Sequence, residues 1–214
     1  MRQVSKKHNS LSFLTILVSI VSCAEPNRAP NLQIPIMETT GKFKKEIPTY
    51  EGSENMRDIK QVISNLALDS IDGGFNKLQI RVWLGHSLAK NRDLVIIKQK
   101  DLGWYADIYE FTLDYNGESE QSSKFKAVSV RNDVYPKSGW EVFLTHLNTL
   151  KVFESLQQAD VQIHRGCGGA DGMGYYFELA SPTVYRFQYH CDLEENLQSF
   201  VTYLEDEFAF EFVK

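Results

Sequence analysis

The sequence predicts an α+β domain: a mainly antiparallel sheet with about three helices packed on one face and solvent on the other. Two observations carry this. Strand-like runs alternate apolar and polar residues with a period of two and follow one another without helices between them, which excludes the βαβ order of a doubly wound sheet. Three runs with apolar residues at helical spacing stand before, among and after those strands.

The first helix is expected over Ser53–Ile71, where Met56, Ile59, Val62, Ile63 and Leu66 share a face, Ser53 caps the start and Asp72-Gly73-Gly74 ends it. Leu78, Ile80, Val82 and Leu84 then alternate with Gln79, Arg81 and Trp83. DLVIIK (93–98) reads as a buried strand, WYADIYEFTLD (104–114) as a central one closed by Tyr115-Asn116-Gly117, and KFKAVSVR (124–131) as a fourth. A second helix is expected from Ser138 to about Phe153, with a Ser138/Glu141 capping box and the stripe Trp140, Phe143, Leu144, Leu147, Leu150. Tyr175–Ala180 and Val184–His190 form a hairpin about Ser181-Pro182-Thr183. A last helix opens near Asp192 and buries Leu193, Leu197, Phe200, Val201, Leu204 and Phe208.

The N-terminus has its own grammar. Arg2, Lys6 and Lys7 precede an apolar run, Leu11–Val21, which is too short for the roughly 20 residues of a membrane span, and Ser22-Cys23 follows. Ile20-Val21-Ser22-Cys23 resembles the lipobox of bacterial lipoproteins, with isoleucine where leucine is commoner. The resemblance implies a signal peptide over 1–22, cleavage before Cys23, and lipid on the Cys23 sulfur and new amine. Ala24 stands where an aspartate retains lipoproteins in the inner membrane, so the expected location is the cell envelope at the outer membrane. Residues 23–52 hold four of the six prolines and read as a flexible tether, leaving 53–214 as a single domain.

Losing the three positive charges of the signal takes the formal net charge from −5 to about −8. That acidity argues against nucleic acid as a partner. Three stretches, LDSIDGGFNKLQIRVW (68–83), PKSGWEVFLTHL (136–147) and DGMGYYFEL (171–179), resemble a set of uncharacterised envelope lipoproteins of Gram-negative bacteria. The resemblance implies the compartment and carries no activity.

Six constellations bear on chemistry. In an oxidising compartment, with Cys23 lipidated, Cys167 and Cys191 are the remaining thiols, and the hairpin between them brings them near enough to expect a disulfide contributing about 3 kcal/mol. His164-x-x-Cys167 with His190-Cys191 offers zinc two nitrogens and two sulfurs, but strand neighbours point to opposite faces, so no metal is expected. Gly85-His86-Ser87-Leu88-Ala89 is similar to a nucleophile elbow, yet lacks both the last glycine and room for the helix that should follow. The glycines of 166–174 lack the G-K-[ST] ending of a phosphate loop, and Asp171 alone falls far short of a calcium site. Tyr105, Tyr109, Tyr115, Tyr175, Tyr176 and Tyr185 would stack on sugar or peptide if exposed, but read first as packing. The carboxylates, Glu194, Glu195 and Glu205–Glu207 among them, form no placed acid/base pair. No catalytic residue and no cofactor are expected. The expected role is a non-enzymatic binding or structural module, attached to the membrane by lipid and meeting an envelope protein or polymer; the alternatives are a small envelope hydrolase, or an inhibitor or chaperone working through an open sheet edge.

Overall fold

The computed structural model describes residues 42–47, 59–86, 91–100, 103–114, 124–157 and 173–210. The signal segment 1–22, Cys23, Ser87, Tyr115, His164 and Cys167 lie outside them. Within them the chain is α+β. Seven strands, β1 (Lys44–Glu46), β2 (Gln79–His86), β3 (Asn91–Lys100), β4 (Gly103–Asp114), β5 (Lys124–Val134), β6 (Met173–Ala180) and β7 (Val184–His190), form one sheet in the order β1-β7-β6-β2-β3-β4-β5. Every pairing is antiparallel except β1 with β7. The helices are α1 (59–65), α2 (Trp140–Thr149), α3 (Val152–Gln157) and α4 (Glu195–Phe208).

The period-two pattern does what it predicts on one face. Ile80, Val82 and Leu84 of β2, Val95 and Ile97 of β3, Ala106 and Ile108 of β4, and Phe177 and Leu179 of β6 form one buried layer under α2, α3 and α4. Two of the three expected helices cover this face, the one expected over Ser138–Phe153 as α2 and α3 and the last as α4. Trp140, Phe143 and Phe208 interlock with ring centroids 5.3–6.2 Å apart, which joins the start of α2 to the end of α4.

The other face is not simply solvated. Ile59, Val62 and Ile63 of α1 pack there with Ile71 over Trp83, Leu94, Ile96, Phe111, Tyr185 and Phe187. The polar half of β2 therefore lies beneath a lid, and Arg81 is only 1% exposed. The helix also ends earlier than the Asp72-Gly73-Gly74 signal suggests. Leu68 N–H bonds the Ile63 carbonyl, Ala67 N–H bonds that of Ser64, and Ala67 takes φ +53°, which is a Schellman ending with alanine in the glycine place. Left-handed alanine is strained, so Ala67→Gly is expected to raise stability by about 0.5–1 kcal/mol, read as a higher urea midpoint at unchanged slope.

Three further differences have local causes. Lys151 at φ +55° divides the helix expected over Ser138–Phe153 into α2 and α3. The expected capping box is not formed: Ser138 N–H reaches across to Glu207 Oε2 at 2.8 Å, and Gly139 takes the N-cap position. Lys44–Glu46, inside the stretch read as tether, instead close the sheet edge along β7. At the opposite edge β5 carries two register shifts against β4; at one of them Asp107 accepts from the N–H of left-handed Asp133 at 3.0 Å and pairs with Lys98. Bulges and lysines are the devices that keep an edge strand from pairing indiscriminately.

Candidate functional site

Strand direction sorts the molecule into two ends. Lys44 enters beside Val184, so the N-terminal segment joins at the end where β7 begins. At the other end His86 stands beside Met173, Gly85 beside Gly174, and Tyr175 beside His190. The chain connections 87–90, 115–123 and 158–172 leave and rejoin the sheet at this second end. Gly85-His86, Met173-Gly174 and Cys191 thus stand at one end of the sheet from three distant parts of the sequence.

The helices add a cleft there. Lys137 N–H and Ser138 N–H both bond Glu207, which fixes the start of α2 to the end of α4. At the opposite end the α2–α3 junction faces the start of α4, and Asn196 of α4 bonds Ser155 of α3. Between them lies a cleft of about 590 Å³ lined by Thr149, Lys151, Glu154 and Ser155 on one wall and Glu194, Glu195, Asn196 and Ser199 on the other. Its floor is held from behind. Asn196 Nδ2 donates to Ser155 Oγ, Gln188 Nε2 donates to the Ser155 carbonyl at 3.1 Å, and the His190 ring sits 3.3 Å from Gln188 Oε1. His190 is buried edge-on to Phe177, centroids 5.6 Å apart, so its ring is committed to the core. Three carboxylates and several hydroxyl and amide oxygens against one ammonium make the walls rich in hydrogen-bond acceptors.

No protein family, curated protein or solved structure matches this chain.

A second polar cluster lies under α1. Glu178, 1% exposed, accepts from Trp83 Nε1 at 2.6 Å and from the Tyr185 hydroxyl at 2.8 Å, with Arg81 Nη1 4.0 Å away. Arg81 Nη2 donates to the Asp69 carbonyl at 2.5 Å, and the Gln79 amide, its oxygen turned to Arg81, accepts from Nε at 2.9 Å. Burial pushes the Glu178 carboxyl up, while Arg81 and its two donors pull it back down. Burial also raises Tyr185 and lowers Arg81. This cluster is enclosed by apolar side chains and ties β2, β6, β7 and the 66–78 segment together, which is a structural task.

The other sequence candidates resolve as follows. Four residues separate β2 from the antiparallel β3, which leaves no room for the helix of a nucleophile elbow after Ser87. Gly174 serves packing: a Cβ there would lie 2.9 Å from the Tyr189 ring. Tyr175 and Tyr185 are buried, and Tyr176 stacks on Tyr189 at 4.8 Å, so these tyrosines pack as the plainer reading has it. Cys191 follows β7, partly buried. The cleft itself was invisible in the sequence, because its walls come from the α2–α3 junction and the start of α4, tied by Asn196 and Ser155, which are 41 residues apart.

Proposed function

We propose that this chain is an envelope lipoprotein, lipidated at Cys23 and held at the outer membrane. Its domain is a non-enzymatic binding module that presents the α2/α3–α4 cleft away from the bilayer. The observation that carries this reading is the parallel docking of β1 on β7. Lys44 stands beside Val184, so a lipid carried upstream of it would approach from that end, and the cleft lies at the His190 end. A ligand rich in N–H or O–H donors, on an envelope protein or polymer, suits walls made of acceptors. A Cys167–Cys191 disulfide would fasten the 158–172 connection at the same end, as the compartment favours.

The test places a photo-crosslinking residue at Glu195 or, as a control at the opposite end, at Lys137, in cells carrying the full chain. The reading expects a discrete adduct from Glu195 at least tenfold stronger than from Lys137. Equal labelling from both positions would sink it.

A further inference from the structure

We infer that the corner of the domain where β1 begins lies on the bilayer and binds its anionic phospholipid headgroups, with Phe43 entering the interface and Lys42, Lys44, Lys45 and Lys60 meeting the phosphates. This rests on the lipid anchor proposed above and deepens it: lipid on Cys23 would bring the chain to the membrane, and this corner would set which way the domain faces.

Three separate segments build the corner. Lys44 N–H bonds the Thr183 carbonyl at 2.9 Å and Phe75 N–H bonds that of Ser181 at 3.0 Å, which draws residues 43–44, residues 74–75 and the β6–β7 turn together. A Cβ on Gly74 would lie 3.0 Å from both the Phe43 ring and the Ser181 carbonyl oxygen. Phe43 is nevertheless 43% exposed, and Pro182 stands exposed at the adjoining turn. One phenylalanine in water would by itself mean nothing. What singles this one out is the charge around it.

Lys45 donates to Asp72 at 2.7 Å, and Lys60 of α1 reaches the same carboxylate at 3.6 Å. Glu46 answers both Lys44 and the buried Arg186. With Lys42 and Asp69 also exposed, four lysines and an arginine stand against three carboxylates. Positive charge is thus in excess here, in a chain whose formal net charge is −5. The side chains of Lys44, Lys45 and Lys60 are 53%, 39% and 57% exposed, so their ammonium groups can swing from carboxylate to phosphate while the backbone stays in place. The opposite end carries Glu154, Glu194 and Glu195 against Lys151. An anionic surface would draw the first end toward itself and turn the second away.

The anchor explains why a patch this small can act. Such attraction fades within a Debye length, about 8 Å at physiological salt. Lys42 is where the chain from Cys23 joins the described fold, so this corner is the part of the domain held closest to the lipid. An acyl anchor and a basic patch reinforce one another on an anionic membrane.

The test places tryptophan at Phe43 or, as a control at the cleft end, at Glu195 in the full chain, and reads quenching of its fluorescence by nitroxide-labelled lipid in vesicles. Trp83, Trp104 and Trp140 are buried and give a constant background. With about 30 mol% phosphatidylglycerol present, quenching of Phe43→Trp should exceed that of Glu195→Trp, and its own value in phosphatidylcholine alone, at least twofold. Replacing Lys42, Lys44 and Lys45 together by glutamine should remove the excess. If that variant loses the parent circular dichroism, the unreplaced chain at about 0.5 M salt takes its place, where screening should at least halve the excess. Equal quenching at the two positions, in the two lipids, or after the lysines are replaced or screened overturns the inference. Intact mass of the same preparation reports separately whether Cys23 carries acyl chains, so failure of the anchor and failure of the docking corner are told apart, and position 43 decides the second in either case.

Discussion

Arg81→Met is expected to lower stability by about 3–5 kcal/mol at pH 8, a fall of roughly 10–15 °C in Tm for a domain of this size. The side chain is not lost from a surface. Its removal leaves Glu178, 1% exposed, without the one cation that faces it among the described residues. The deficit should depend on pH in a defined direction. The folded pKa of Glu178 lies above its usual 4.5, mainly through burial. A raised carboxyl contributes stability that is fully present below its unfolded pKa and is lost as pH rises through the folded value. Without Arg81 the folded pKa rises further, so the variant should recover part of its loss between pH 8 and pH 5. Adding Glu178→Gln to Arg81→Met should also recover part of it at pH 8, since an uncharged amide needs no counter-ion. Urea unfolding at the two pH values reads both effects. A deficit constant across pH would mean that some other group neutralises Glu178.

The second large effect concerns the anchor. Cys23→Ser should move the chain from the membrane fraction to the soluble fraction, with at least a tenfold change in partition. Each buried acyl carbon contributes about 0.8 kcal/mol, and several chains together hold durably where one does not. No helix among the described residues is long and apolar enough to cross a membrane. Ala24→Asp should leave the chain membrane-bound but shift it from the outer to the inner membrane on a sucrose gradient. A Cys23→Ser chain that stays with the outer membrane would show that something other than lipid holds it there.

The residues show why some of this was readable in advance. Leu78–Leu84 and Val184–His190 alternate strongly, and their strands, hairpin and core face follow directly from that period. What alternation cannot report is whether the second face is covered. Arg81 reads as a solvent residue until α1 is seen lying over it, and nothing in the spacing of Ile59, Val62 and Ile63 says which side of the sheet they choose. Breaks made without glycine are equally silent. Ala67 and Lys151 both turn the chain with positive φ, and neither residue type announces it. Lys44-Lys45-Glu46 has no apolar pattern at all, because its pairing is set by Asp72 and Arg186, far away in sequence. The cleft fails for a related reason: Ser155 and Asn196, which tie its walls together, stand on α3 and α4 with β6 and β7 between them in sequence.

The strand order has a consequence for how the molecule assembles. β6 lies between β2 and β7, so the contact of Trp83 with Glu178 joins residues 95 apart, and β1 must wait for a strand near the far end of the chain. Little of the sheet's centre is local in sequence, and topologies of this kind fold slowly because large loops must close before long-range contacts compensate them. On the proposed lipidation, a chain exported N-terminus first would present Cys23 early, while residues 173–190 were still to arrive. Lipid attachment would then precede closure of the sheet, and the domain would complete its fold already tethered to the surface.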